Sequence, residues 1–340
     1  MTDARGWLSM QQAAIVKGDW SPTLARRQGE AKKSRAGTFT EYAEQWMLTR
    51  TNRHGEGLRD RTRVEYQRLL NGPLSSFDGL RLNAITPEMV REWYSVQVAS
   101  GRLTQAARAY GLLKSVLATA LEDGRIPTNP CLVRGAQNAS TGRKVEPPTS
   151  AELAVLVEAI TDRYKAAVII SAWGGLRFGE LTELRRKDLA VTDDTVIVNV
   201  TRAVTHTTGL GFVVGKTKSA AGVRSVMLPP HVSEAVTRHL ADHVDDSPDA
   251  LLFPASDGVT HLAASTFAKH FYPARERAGR PDMPFHALRH YGATKFAQTG
   301  ATLREIQERI GHSTVAAAMR YQHSAGRDTE LARRMSDLAE

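Results

Sequence analysis

The chain has 340 residues, with 45 Lys and Arg against 36 Asp and Glu, a formal net charge of +9 and a single cysteine. At about 150 residues per domain this makes two domains, and 41% hydrophobic with 24% charged residues is a globular balance that excludes wholesale disorder and fibrous repeats. The lone Cys131 excludes an intramolecular disulfide and a thiolate metal cage, and the longest near-apolar run, Ala166 to Leu176, is far shorter than the roughly 20 residues of a spanning helix.

Residues 1–37 read as a polar, irregular, basic tail in which Arg26, Arg27, Lys32, Lys33 and Arg35 crowd around Glu30. The tail has no apolar signal-peptide core, so a cytoplasmic protein is expected. Thr38 and Glu41 form a capping box before a helix whose Phe39, Ala43, Trp46 and Met47 share one face. A second helix is predicted near Arg59 to Leu70. The run Thr86-Pro87-Glu88 starts a third that carries Met89, Val90, Trp93 and Tyr94. A fourth opens at Thr104, aligns Ala107, Tyr110, Leu113, Val116, Leu117 and Leu121, and stops at Gly124. These four helices make a small helical domain over 38–132.

Residues 133–148, rich in Gly, Asn, Ser, Thr, Lys and Pro, have the composition of an extended linker. Thr149 and Glu152 repeat the capping box, and an apolar helix follows from Tyr164 to Trp173. Short β runs come next, at Thr195 to Val204, Gly211 to Val214 and Arg224 to Leu228. Helices resume near His231–Val244, Ser265–Ala278, His286–Thr299, Thr302–Arg309 and Val315–Tyr321. The second domain, 149–330, is therefore α+β, mostly helical with one small antiparallel sheet, and 331–340 is a C-terminal tail.

Two motifs mislead. Gly209 to Thr217 looks like a phosphate-binding loop, but Leu210 stands where its first glycine belongs and no helix follows Thr217. His286 and His290 have the i, i+4 spacing of a zinc pair, yet no Glu lies at the metalloprotease position between them. The informative set is Gly175-Leu176-Arg177-Phe178-Gly179-Glu180-Leu181, then Lys216-Thr217, His286-Ala287-Leu288-Arg289-His290, Gly311-His312 and Tyr321. His286 and Arg289, at i, i+3, share a helix face. Arginines, histidines, a hairpin lysine and a tyrosine without a carboxylate pair for Mg²⁺ suit metal-free phosphoryl transfer, with guanidinium charge neutralising phosphate and a phenol as nucleophile.

From about Thr38 to the C-terminus the chain resembles the tyrosine recombinases, the phage integrase family. Gly-Leu-Arg-x-Gly-Glu-Leu is similar to the family's first box, His-x-Leu-Arg-His with Ala293-Thr294 to its second, and Gly-His-Ser with Tyr321 nine residues after His312 to its nucleophile segment. The resemblance implies a helical core-binding (SAM-like) DNA-binding domain joined to an α+β catalytic domain, the two clamping a duplex. Arg177 and Arg289 would hold the scissile phosphate and Tyr321 would attack it, leaving a 3′-phosphotyrosine and a free 5′-hydroxyl. Lys216 would protonate the leaving oxygen, with Lys218 as its competitor; His286 would assist proton transfer and His312 bond the phosphate.

No cofactor or metal is implied. The partners are double-stranded attachment-site DNA and a homotetramer assembled on it, with a host DNA-bending protein and an excision factor left open. Glu180 is expected to orient an arginine, His290 to support the second box, and Tyr272 and Tyr291 to be core. Arg59, Arg61, Arg63 and Arg68 are expected to add phosphate contacts. Leu331, Met335 and Leu338 in the segment Ser324 to Glu340 suggest exchange of that segment between subunits. Only about 36 residues with no strand signal precede the helical domain, so the expectation is either a version without the family's N-terminal arm-binding domain, resembling short integrases of actinobacteriophage type, or a shortened start. A type IB topoisomerase-like enzyme and a non-cleaving attachment-site binder are the alternatives.

Overall fold

The computed structural model describes residues 2–18, 37–52, 55–138, 145–192, 195–217, 220–321, 333 and 335–336. The basic cluster from Arg26 to Arg35, Lys218, and Leu331 and Leu338 of the C-terminal segment lie outside them. The chain divides into two compact units, 1–143 and 144–340.

The first unit contains α1 (Thr2–Val16), α2 (Phe39–Thr49), α3 (Asp60–Asn71), α4 (Pro87–Ala99) and α5 (Leu103–Glu122). Helix α1 corrects the expectation of an irregular tail: its stretch lacks proline and includes Leu8, Met10, Gln11, Gln12, Ala13 and Ala14, all good helix formers. At α2, Thr38 accepts from the Glu41 amide while the Glu41 carboxylate accepts from the Thr38 amide, so two otherwise orphaned N–H groups are satisfied. Helix α5 is the spine, burying Ala109, Leu113, Val116, Leu117 and Ala120 against Phe39, Trp46, Leu69 and Phe77. Trp46 donates its indole N–H to Thr119 Oγ1 at 2.9 Å and Trp93 donates to the Pro73 carbonyl at 2.6 Å, so neither ring leaves a polar atom stranded. Part of the stretch read as linker packs here: the Val133 amide donates to Tyr110 Oη at 2.8 Å, and Ala136 is buried.

The second unit comprises α6 (Ser150–Ala159), α7 (Lys165–Gly174), α8 (Phe178–Leu181), β1 (Leu189–Val191), β2 (Val196–Val200), β3 (Arg202–Thr207), β4 (Gly211–Lys216), β5 (Arg224–Met227), α9 (Ser233–His243), α10 (Ala264–Arg277), α11 (His286–Gln298), α12 (Leu303–Ile310) and α13 (Val315–Met319). The expected single sheet is two. Strands β1, β2 and β5 form an antiparallel sheet in that order, while β3 pairs only with β4 as a hairpin. The continuous run expected from Thr195 to Val204 breaks at Thr201. Val196, Val198 and Val200 face the core under α7, whereas β3 leaves that sheet and takes its hydrogen bonds from β4.

Tyr291 is buried as expected, but Tyr272 is not. It lies about half exposed on α10 beneath the Arg275 guanidinium, 3.9 Å from the ring centroid, outside the buried cluster that holds Phe267 and Phe271. Helix α7 is buried nearly all round and α11 crosses it closely, because a Cβ on Gly292 would fall 2.2 Å from the Ala172 carbonyl oxygen. Substitution Gly292→Ala is therefore expected to force the two helices apart at a cost of about 3 kcal/mol. Thermal unfolding followed by circular dichroism should show the midpoint fall by roughly 6–12 °C.

Candidate active site

Helix α7 ends at Gly175, which takes a left-handed φ of 65°. This turn sends Leu176 into the core and brings Arg177 out, and the single turn of α8 then carries Glu180 back beneath it. The Glu180 carboxylate accepts from the Arg177 amide at 3.0 Å and from Arg177 Nη1 at 2.7 Å. Arg224, the first residue of β5, donates Nη2 to the same carboxylate at 2.9 Å, and Arg289 of α11 stands 4.0 Å from it. Burial alone would push this carboxyl up. The Arg224 and Arg177 guanidiniums outweigh that and hold it below the usual carboxylate range.

Each arginine is also fastened to a helix end. Arg289 donates Nη1 to the Gly175 carbonyl at 2.6 Å and Nη2 to the Ile310 carbonyl at 2.5 Å. Arg177 reaches the Gly311 carbonyl at 3.3 Å, and Arg224 Nε reaches the Arg309 carbonyl at 2.8 Å. These carbonyls belong to the C-terminal turns of α7 and α12, which lack intrahelical donors and carry the negative end of the helix dipole. Arg289 is 1% exposed, and burial with the nearby Arg177 charge lowers its pKa to about 9.

Tyr321 follows α13 and packs on Ala293, Ile306, Ile310 and Ala318, which sets it against α11 and α12. Its hydroxyl bonds His290 Nδ1 at 2.7 Å, and burial raises its pKa despite Arg289, Arg320 and Arg177. His312 stacks nearly parallel to the Tyr321 ring, at 14° with centroids 5.9 Å apart, and its Nδ1 has no hydrogen-bond partner among the described residues. His286 meets the His290 ring edge-on at 4.8 Å. Burial, then neighbouring charge, brings both His286 and His312 down to about 4, so each is a neutral imidazole at pH 7. Five of the six expected residues thus converge: Arg177, Arg289, His286, His312 and Tyr321. Lys216 is not joined to them; it is the exposed last residue of β4, opposite Arg202 at the base of the hairpin and not in its turn.

The phage integrase family matches residues 149–327. Over 342 residues the chain is 44% identical to the prophage phiRv2 integrase of Mycobacterium tuberculosis, covering 99% of this chain and 87% of that one. Over 348 residues it is 38% identical to the integrase of Mycobacterium phage D29, covering 99% and 88%. The chain belongs to the phage integrase family. It is a tyrosine recombinase of the phage and mobile-element type. In fold it is similar to the Tn1549 transposon integrase, solved in complex with a circular intermediate DNA, with a TM-score of 0.73 at 20% identity, covering 88% of this chain and 99% of that one. A lambda integrase dimer bound to a COC′ core site is similar with a TM-score of 0.63 at 17% identity, covering 96% and 89%.

One residue of this cluster escaped sequence reasoning, and a second was read only as support for the second box. Arg224 carries no motif; its only signal is a charge opening the apolar run Arg224 to Leu228. His290 shares the i, i+3, i+4 face of His286 and Arg289, yet its bond to Tyr321 depends on how α13 folds back. Because Glu180 compensates three buried or half-buried guanidiniums, Glu180→Gln is expected to destabilise the fold by about 3–5 kcal/mol at pH 7. A carboxyl with a lowered pKa contributes its stability above its unfolded value, near 4.5, and loses it as pH falls through the folded one. Urea unfolding should show the difference between parent and variant shrinking below pH 4.5.

Proposed function

We propose that the chain cleaves and rejoins double-stranded DNA at attachment sites, integrating a phage or mobile element through a 3′-phosphotyrosine. What carries the reading is the convergence of a buried phenol, Tyr321, on the Arg177, Arg224 and Arg289 cluster, in which a single carboxylate leaves positive charge in excess. A phosphodiester is the anion such a pocket fits. Arg177 and Arg289 bond its non-bridging oxygens, since each guanidinium has five donors and only part of them serves the carboxylate and the carbonyls. His312 donates from a neutral ring, His286 supports proton transfer, and Lys216, brought in with the hairpin, protonates the leaving 5′-oxygen. Guanidinium charge neutralises the phosphorane-like transition state, and the phosphotyrosine conserves the bond energy for rejoining.

The partner in this reading is duplex DNA, gripped by four copies of the chain on two sites; a lambda integrase tetramer has been solved on a Holliday junction. Arg61 and Arg63 of α3 suit phosphate contacts, whereas Arg68 is held by Glu65 at 2.9 Å. Among the described residues no helix is long and apolar enough to cross a membrane. The reading places the protein on DNA in the bacterial cytoplasm.

The test is covalent trapping on nicked attachment-site duplex in EDTA. The parent protein is expected to give an adduct stable to SDS, and Tyr321→Phe to bind the same DNA and give none. An adduct of undiminished yield from Tyr321→Phe would overturn the assignment of the nucleophile.

A further inference from the structure

Lys216 is exposed at the end of β4, but Thr217, the next residue, is buried. Gly222 closes over it: a Cβ on that glycine would fall 2.5 Å from Thr217 Cβ and 2.6 Å from its Oγ1. The Ala221 carbonyl oxygen and Gly222 Cα lie in turn against Gly311, where a Cβ would meet them at 2.7 and 3.3 Å. Arg224 fixes this arrangement with all three of its nitrogens. Nη1 donates to the Gly222 carbonyl at 3.0 Å, Nη2 to the Glu180 carboxylate at 2.9 Å and Nε to the Arg309 carbonyl at 2.8 Å. One guanidinium, on a side chain 5% exposed, therefore holds the glycine that covers Thr217, the anion that binds Arg177, and the end of α12 that leads into His312.

We infer that Arg224 is a positioning residue for leaving-group protonation: acting through Gly222 and Thr217, it sets the backbone of Lys216 in register with Arg177 and Arg289. The inference rests on Lys216 being the general acid, whose ammonium proton goes to O5′ as the P–O5′ bond breaks and its electron pair passes to that oxygen. A lysine stem is long and free to rotate, so its reach to one oxygen depends on where its backbone starts. The Lys216 Cα stands one peptide, about 3.8 Å, from the Cα of Thr217, and any shift of Thr217 is passed to it. Across the hairpin Lys216 pairs with Arg202, so its strand side is settled by β3 and its loop side by Arg224. Arginine suits this task and lysine does not. The acceptors are a carboxylate and two carbonyls on three separate segments, which a planar fork of donors spans and a compact ammonium does not.

The experiment measures single-turnover cleavage of a nicked attachment-site duplex carrying either oxygen or sulfur at the bridging 5′ position of the scissile phosphate. A thiolate leaves without a proton, so sulfur repairs a lost or misplaced general acid and no other defect. Lys216→Ala should be slower than the parent by about 10²–10³ on oxygen, within the range a general acid contributes, and should recover on sulfur. A deficit that sulfur leaves in place would overturn the reading of Lys216 itself, whatever Arg224 does. Arg224→Lys keeps a positive charge beside Glu180 and loses the fork; it should be slower by about 10–10² on oxygen and return to within about threefold of the parent on sulfur. Gly222→Ala presses on Thr217 without removing a charge from the Glu180 cluster. It should show the same loss confined to oxygen, and it decides the question if Arg224→Lys does not fold. A merely structural role slows both substrates alike. The inference is overturned if either folded variant is slowed equally on oxygen and sulfur, or if either cleaves the oxygen substrate within about threefold of the parent.

Discussion

One buried carboxylate organises this recombinase. Glu180 is 2% exposed, and an ion so placed is stable only when charge and hydrogen bonds surround it. Arg177 and Arg224 bond it directly and Arg289 lies within 4.0 Å, and the same guanidiniums bond the carbonyl ends of α7 and α12. The carboxylate thus fixes three side chains, and the side chains fix two helix ends. Removing the anion leaves cations without compensation and carbonyl anchors without orientation, so integrity of the fold and geometry of the site are one quantity.

Burial first, and then the charge imbalance in that lattice, explains the protonation states around it. Positive groups outnumber the carboxylate, and burial screens them poorly, so a further positive charge is disfavoured: His286 and His312 titrate near 4, and His290 is lowered as well. The neutral rings serve as acceptors and donors without repelling the arginines.

Much of the fold was legible because its signals are local. The capping boxes at Thr38 and Thr149 and the proline at α4 each mark a helix start by chemistry confined to one turn. The split between β2 and β3 was not, since alternation runs through Thr201 unchanged and only the choice of pairing partner separates the strands. Nor was β1, whose three residues are too few to show a period. The same division holds in the site. Arg177, His286, Arg289, His312 and Tyr321 stand in compact boxes, whereas the roles of Arg224 and His290 arise from β5 and α13 meeting α8 and α11 in space.

Glu183, one turn beyond Glu180, extends the argument to the hairpin. It is 1% exposed and accepts from Arg185 at 3.1 Å, from Arg202 at 2.7 Å and from His261; Arg202 is bonded as well to Asp188 at 2.7 Å. Arg202 lies opposite Lys216 in the β3–β4 register, so this second carboxylate pins β3, the strand paired with the one from which the lysine projects. The turn at Thr208 to Leu210 lies at the far end of the hairpin from that anchor. Glu180 and Glu183 thus tie the arginine cluster and the hairpin base to the same few residues of backbone.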